Sequence, residues 1–343
     1  MTPPTLLAVP NVSEGRDGET IAAIARAFAG AGRSAASSAG AAVRLLDVHT
    51  DSDHHRTVYT LAGPPRALTD ALLRGAREAV ERIDVLARAG GTPEERGQHP
   101  YVGAVDVAPI VYRDPRDRGA ACAEALVLAD RLGEELALPV FLYGELSGAD
   151  AQSQRTRAQL RRGGVRGLSS RMRADDPAGH ADGRGGGEAA DAGAESTAGR
   201  ATGAPALVPD FGPARMHPSA GATLVAARPP LVAFNLQLAP PAGLEDARAI
   251  AALIRDGGAE GLPGVRAIGV ALAGRGAQVS TNVERPDEIS LARVVRAVRA
   301  HAPVASAELV GLAPAAAFAE FPPDVPIPGF DAARHVLENA LGC

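Results

Sequence analysis

The chain contains no lysine and no tryptophan, only two cysteines, and aromatic side chains make up just 3% of it. Each shortage excludes something. Without lysine the protein cannot form a Schiff base with a carbonyl substrate. An anion must then be met by arginine, by backbone N–H groups or by helix termini. So few aromatics leave no platform for stacking nucleic-acid bases. Cys122 lies within a helical pattern and Cys343 is the last residue, so no metal-binding spacing exists. No apolar run approaches the length of a membrane span. The start of the chain lacks a basic stretch followed by an apolar run of signal length. A net charge of −5 gives no global attraction to DNA or anionic membranes. The sequence therefore predicts a soluble cytoplasmic protein with no nucleic-acid and no membrane partner.

What is present is enough for two cores. At 343 residues and 46% hydrophobic, with alanine supplying much of that fraction, the chain can build two domains or one domain of two sub-domains. Leu6 to Val9 reads as a strand stopped by Pro10. The polar loop Asn11-Val12-Ser13-Glu14-Gly15-Arg16-Asp17 then leads into a helix beginning near Glu19. Asn11 and Ser13 have two readings: caps for that helix or its turn, or the polar rim at a strand end where α/β sheets bind ligands. Val43 to Val48 is a second strand and Thr57 to Gly63 a third. Between them, His49, His54 and His55 stand among Asp47, Asp51 and Asp53. That composition raises the question of a metal, but His54 and His55 on an extended segment point to opposite sides, and no ligand spacing emerges. The segment reads better as a polar substrate loop carrying Arg56. Asn11, His49 and Arg56 are the candidate substrate contacts.

Ala67 to Val85 carries a helical apolar stripe, interrupted by Gly75. Then comes Gly97-Gln98-His99-Pro100-Tyr101-Val102-Gly103, followed by the apolar run Ala104 to Val111, a buried strand. A residue before proline is pushed toward extended geometry. His99 should therefore project where a loop enters the sheet, either as a structural histidine or as a group placed for chemistry. Asp117 to Leu136 reads as a helix and Pro139 to Glu145 as a strand. Ser153 to Arg162, with Arg155, Arg157, Arg161 and Arg162, is a basic helix: a solvated face or a funnel for a polyanion. Residues 170–205 are dominated by Gly, Ala, Asp, Glu and Ser, a flexible insertion.

Beyond it lies the small-residue stretch Gly212-Pro213-Ala214-Arg215-Met216-His217-Pro218-Ser219-Ala220-Gly221, either a connector or a loop that lets a ligand approach the backbone. The second half reads strand 231–238, helix 244–256, paired strands 264–273 and 277–283, helix 291–300, strand 304–310 and a closing helix 332–341. That β-α-β-β-α-β order is ferredoxin-like. Strand and helix alternate throughout, which makes the chain α/β (α+β), without a Rossmann glycine pattern or a P-loop.

Val9-Pro10-Asn11-Val12-Ser13-Glu14-Gly15 resembles the opening of glutamate formimidoyltransferases. Leu45-Leu46-Asp47-Val48 with Arg56-Thr57-Val58-Tyr59-Thr60 resembles a second block of that family. His99-Pro100 with Gly103-Ala104-Val105-Asp106-Val107 and Pro109 is similar to its catalytic-histidine segment. Tyr143-Gly144-Glu145, Val208 to Pro213, Ala233-Phe234-Asn235, Gln278 to Asn282 and Glu308 to Pro314 continue the likeness in order. It covers nearly the whole chain outside the insertion.

The resemblance implies two sub-domains, 1–227 and 228–343, each a mixed β-sheet with helices on the outer face, the sheets facing one another. It implies transfer of a formimino group from N-formimino-L-glutamate to N5 of tetrahydrofolate, in histidine breakdown, with folate in a tunnel between the sheets. His99 would be the catalytic residue and Gly212 to Gly221 the folate-binding segment. Tetrahydrofolate would be a co-substrate, no metal would be needed, and the protein would be a homodimer. Arg161 and Arg162 are expected to draw in the glutamate tail of folate. Tyr101 stands where family members often carry arginine, so one cationic contact of the family is absent. The cyclodeaminase half of the animal enzyme has no counterpart here, so ammonia release is expected of another protein. Formyl transfer from N-formylglutamate, and non-catalytic folate binding, are the alternatives.

Overall fold

The first structural fact is a break in a strand. Leu6–Ala8 (β1) and Asn11–Val12 (β2) occupy one position in a sheet, between Arg56–Gly63 (β4) and Val105–Val111 (β5). Pro10, which has no N–H to give, separates them. The register against β5 shifts between Asn11 and Val12, a bulge that re-aims the side chains there. The structure is a computed structural model that describes residues 3–30, 43–92, 95, 97, 100–150, 153–173, 206–272 and 274–342.

Arg44–Asp51 (β3) pairs with β4 at one edge, and Thr223–Arg228 (β7) and Val140–Leu142 (β6) follow β5 at the other. The β5–β7 and β7–β6 pairs are parallel, the rest antiparallel. Alternation sorts the two faces. Leu6, Ala8, Val12, Tyr59 and Leu61 point to the helix side, where Gly18–Ala29 (α1), Ala67–Arg82 (α2) and Arg118–Leu136 (α4) supply Ile24, Phe28, Leu68, Leu72, Leu128 and Leu132 to one core. Val85–Ala89 (α3) follows α2 after a break at the extended Ile83. On the other face, Arg157–Arg161 (α5) and Gly164–Met172 (α6) cover Val107, Phe141, Leu224 and Ala226.

The second sheet is made of Val232–Leu238 (β8), Val265–Leu272 (β9), Gly276–Val283 (β10) and Val304–Val310 (β11), in the order β11-β8-β10-β9, all antiparallel. With Leu244–Ile254 (α7) and Leu291–Arg299 (α8) on its outer side it is the ferredoxin-like unit that the sequence order predicts. The first sheet's last strand ends at Arg228 and the second sheet's first begins at Val232. Ala332–His335 (α9) and Leu337–Leu341 (α10) return to the first sheet: Leu337 packs on Leu7, Ala62 and Val111, and Arg44 donates to the carbonyls of Ala340 and Leu341.

Several local expectations are corrected. The strand predicted to end at Val48 continues to Asp51, so His49 is a strand residue and the polar loop is only a tight turn. His54 and His55 do not point to opposite sides of a strand. Both are buried in that turn, His55 with φ 51°. The strand after Pro139 is only Val140–Leu142, because Gly144 turns at φ 61°. The basic helix starts only at Arg157, where Thr156 closes a capping box with Gln159. The closing helix is split at Val336, whose backbone bridges Ala313 instead. The expected insertion begins with ordered helix, since α6 runs to Met172, and 174–205 lie outside the described residues.

Candidate active site between the two sheets

The inner face of the first sheet is set by the same alternation that sorts its core. Leu7 of β1, Val9 from the break after it and Asn11 of β2, with Arg56, Val58 and Thr60 from β4, all line one cavity. Ala233, Asn282 and Val310 of the second sheet close it from across. About 100 Å³ of it is open to a water-sized molecule, so the space enclosed between the sheets is narrow. A second cavity, bordered by Tyr143, Glu145 and Glu284, shares Arg157, Arg228 and Leu231 with the first, so the two meet at that neck.

The charge on the walls is one-sided. Arg56, Arg157, Arg161 and Arg228 line the first cavity, and among the described residues no carboxylate does. Arg157 and Arg161 fall on one face of α5 because they are four residues apart. Arg161 is buried and salt-bridged to Asp106, whose other oxygen accepts the Val102 N–H at 2.8 Å. Burial, aided by Arg161, pushes the Arg56 guanidinium down to about 10. Burial does the same to Arg228, also to about 10, and lowers Arg157. All three remain charged at neutral pH.

The second sheet turns a polar face inward. Glu308, Asn235 and Ser280 lie side by side on three strands: Asn235 donates to Glu308 at 2.9 Å and accepts from Ser280 at 2.8 Å. His49 of β3 sits 3.7 Å from Glu308. Burial alone would raise the Glu308 carboxyl, but His49, Asn235 and Arg275 hold it down at about 2.

The opening motif is a clamp. Glu14 accepts the N–H groups of Gly15, Arg16 and Asp17 and pairs with Arg88 at 3.0 Å. Burial works against that carboxylate, yet those N–H groups, with His55 and Arg88, keep its pKa below the ordinary value. His55 accepts the Gly15 N–H at 3.1 Å, and burial with Arg88 close by lowers its ring to about 4. Ser13 donates to the Gly103 carbonyl at 2.7 Å, and Thr57 to that of Glu14 at 2.6 Å. The cap of α1 is Asp17, not Asn11 or Ser13.

The candidates predicted from sequence are therefore only partly together. Asn11 and Arg56 line the cavity. His49 stands beside it on Glu308. His99 lies outside the described residues, but both ends of its segment are placed: a Cβ on Gly97 would lie 2.7 Å from the His55 Cβ, and Val102 is tied to Asp106. Gly212 to Gly221 does not line the cavity. Gly221 bridges Gly103 at the entering ends of β5 and β7, and the six residues of β7 put Arg228 about 17 Å further along. Within it, His217 accepts the Ala220 N–H at 3.0 Å. Arg162 is exposed, and Arg161 lines the cavity while salt-bridged to Asp106; Arg157 and Arg228, the latter not singled out from the sequence, line it as well. Sequence reasoning did not single out Asp106 or Glu308 either. Among the described residues no group of three His, Cys, Asp or Glu is placed to hold a metal, and no helix is long and apolar enough to cross a membrane.

Comparison with known proteins converges on one family. The formiminotransferase domain, N-terminal subdomain, matches residues 5–228. The chain is 31% identical to the glutamate formimidoyltransferase of Streptococcus pyogenes serotype M1, covering 97% of each. It is 29% identical to the glutamate formimidoyltransferase of Thermoplasma acidophilum, over 89% of this chain and 87% of that one. It is 33% identical to the formimidoyltransferase-cyclodeaminase of Mus musculus, over 89% of this chain but 49% of that protein. The chain belongs to the formiminotransferase family.

Proposed function

We propose that this protein is a one-carbon transferase that moves the formimino group of N-formimino-L-glutamate to N5 of tetrahydrofolate, giving 5-formiminotetrahydrofolate and L-glutamate. The observation that carries this is the end-to-end match, 97% of both chains, with a protein named glutamate formimidoyltransferase. The cavity between the sheets supports it, its walls being positively charged.

N5 attacks the electrophilic formimino carbon and a tetrahedral intermediate forms. The bond from that carbon to the glutamate nitrogen then breaks. One proton leaves N5 and one must reach the departing nitrogen. A histidine with a pKa near ~6.5 can do both around neutral pH. We assign that role to His99, carried on the segment between Gly97 and Tyr101. Gly212 to Gly221 is the folate-binding segment, and Asn11, His49 and Arg56 contact substrate. Holding both substrates in register supplies much of the remaining acceleration. The reaction needs no metal and no covalent nucleophile. In this reading the sub-domains are 1–227 and 228–343, and the protein works as a cytoplasmic homodimer.

The test is turnover by purified protein with tetrahydrofolate, offering N-formimino-L-glutamate and N-formyl-L-glutamate separately and measuring released glutamate. Release from the formimino donor alone is the expected result. Release only from the formyl donor would change the reaction, and folate binding without release from either would make the protein a folate carrier.

A further inference from the structure

Where the second sheet lies over the edge of the first, several polar atoms lack partners. On the inner face, β3 and β4 set Asp47 opposite Thr60 and His49 opposite Val58. Thr60 is 3% exposed and lines the cavity, yet its Oγ1 makes no hydrogen bond among the described residues. Asp47 Oδ2 and His49 Nε2 are buried and make none either. Gly311, at φ 79°, faces Thr60: a Cβ there would stand 3.6 Å from Oγ1, so glycine leaves the space above the hydroxyl open.

Glu308 completes the set. One oxygen of its carboxylate accepts from Asn235 at 2.9 Å. The other has His49 Nε2 at 3.7 Å and Arg275 at 3.8 Å, both too far for a hydrogen bond. Arg275 is already engaged with Asp53. The Glu308 side chain is 26% exposed, so that oxygen can be reached. With its pKa held at about 2, the carboxylate is ionised at neutral pH. His49 and Thr60 are diagonal neighbours across β3 and β4, about 7–8 Å apart, which brings Thr60 and Glu308 within the span of one small ligand.

Each of these atoms can accept a hydrogen bond, and two belong to carboxylates; what the corner lacks is donors. An acceptor left unpaired inside a protein is costly, and a small cation with N–H groups on two sides would satisfy several at once. The reacting group of the proposed donor is such a cation. A formimino group on an amine nitrogen is an amidine, which like guanidinium is protonated at neutral pH and donates from both nitrogens. The formyl group of N-formyl-L-glutamate is a neutral amide whose oxygen only accepts.

We propose that the Glu308 carboxylate, with the Thr60 hydroxyl beside it, receives the protonated formimino group and selects it over formyl. This rests on the transfer reaction proposed above and adds the residue that chooses its donor. The amidinium gains charge-assisted hydrogen bonds on Glu308. A formyl oxygen in the same place would meet the carboxylate acceptor to acceptor, a repulsive element that sharpens the choice.

The experiment is calorimetric titration of N-formimino-L-glutamate and N-formyl-L-glutamate, without tetrahydrofolate, against wild type, Glu308→Gln and Thr60→Val. Wild type should bind the formimino compound more tightly. Glu308→Gln should weaken that compound by roughly 10–100-fold, the worth of a hydrogen bond to a charged group, and change the formyl compound by no more than about two-fold. Thr60→Val should weaken the formimino compound by about 2–10-fold, as for a neutral hydrogen bond. Glu308→Asp keeps the charge on a shorter arm and should fall between wild type and Glu308→Gln, which guards against misfolding. In turnover with tetrahydrofolate, the ratio of kcat/KM for the two donors should fall in Glu308→Gln by the same factor as the ratio of affinities. Equal losses for both compounds would make Glu308 structural, and an unchanged preference in folded variants would remove it from the site; either overturns the proposal. Loss of tetrahydrofolate affinity alone would put the carboxylate on the pterin amino group and overturn it too. A Glu308-dependent preference for the formimino compound without glutamate release would overturn the proposed reaction and leave the selector standing. Release from the formimino donor with normal kcat/KM in Glu308→Gln would do the reverse.

Discussion

Arg275 donates two hydrogen bonds to one oxygen of Asp53, at 3.0 and 2.7 Å, from the hairpin tip of the second sheet to the turn of the first. Asp51 lies 3.4 Å and Glu308 3.8 Å from the same guanidinium. The contact spans the two sheets at one side of the cavity. Because the Arg275 side chain is 44% exposed, the pair should be worth only ~0.5–1 kcal/mol of stability. Its effect on spacing is larger, since small misplacements of bound substrates are costly. Arg275→Ala should leave the urea midpoint nearly unchanged while lowering kcat/KM by about 10-fold, and Asp53→Ala in the same protein should add little. A variant with wild-type kinetics would reduce the contact to surface decoration.

The turn that Arg275 grips carries a histidine that must stay neutral. His55 titrates at about 4 in the folded protein, against roughly 6.5 in an unfolded chain. Between those values the unfolded state binds more protons. Stability should therefore be flat above about pH 6.5 and fall as the pH drops toward 4, by on the order of 3 kcal/mol from this group. His55→Asn keeps an acceptor for the Gly15 N–H and tolerates the left-handed backbone. Urea unfolding at pH 7.5 and pH 5.0 should show a large loss in wild type and a much smaller one in the variant. Parallel losses would assign the acid sensitivity to other groups.

Gly75 sits within α2 and is buried there. Helix propensity alone would gain roughly 1 kcal/mol from Gly75→Ala. A Cβ at that position, however, would lie 2.1 Å from ring atoms of Phe28, which is 1% exposed and packs on Tyr59 at 5.0 Å. Overpacking a core costs ~1–3 kcal/mol, so the substitution should lower the melting temperature. Phe28→Leu should restore part of the loss in the Gly75→Ala protein while being destabilising alone. A higher melting temperature for Gly75→Ala would show that the ring can move aside.

Much of this was legible in the sequence because it is periodic. Alternation in Arg56 to Gly63 and in Gln278 to Val283 divides core from cavity residues directly, and the order of the second half gives its sheet. Gly75 was readable as a helix weakness but not as the seat of Phe28, a neighbour 47 residues away. The arginines were hidden for a similar reason. Arg157 and Arg161 in a charged run look like any solvated helix face, and what buries Arg161 is Asp106, 55 residues earlier. Arg228 ends a strand, a position that carries no chemical signal until another sheet is laid over it. The histidine turn misled because strand periodicity was extended one step too far: a left-handed residue at His55 folds both rings inward.

The proton shuttle is the sharpest prediction. His99 lies in sequence between Gly97, which packs closely against the His54–His55 turn, and Val102, whose N–H is bound by Asp106. His99→Ala should lower kcat by about 10²–10⁴-fold, the usual worth of one positioned acid–base group. Tetrahydrofolate affinity should stay close to wild type, because the proposed folate segment Gly212 to Gly221 is anchored separately, through Gly103 and through the Ser219 carbonyl, which accepts from Val85. The measurement is kcat beside a directly titrated dissociation constant, with the melting temperature as a check on folding. Near-normal kcat would remove His99 from the chemistry. Lost folate affinity with little change in kcat would make it a binding residue. A collapsed melting temperature would assign it to the fold, and Gly97→Ala would then separate the cases: with φ at 73° and His55 at 2.7 Å, a side chain there must shift the backbone at Gly97 while His99 itself is left unmutated. If the imidazole is the shuttle, displacing its segment should cost kcat far more than it costs folate binding.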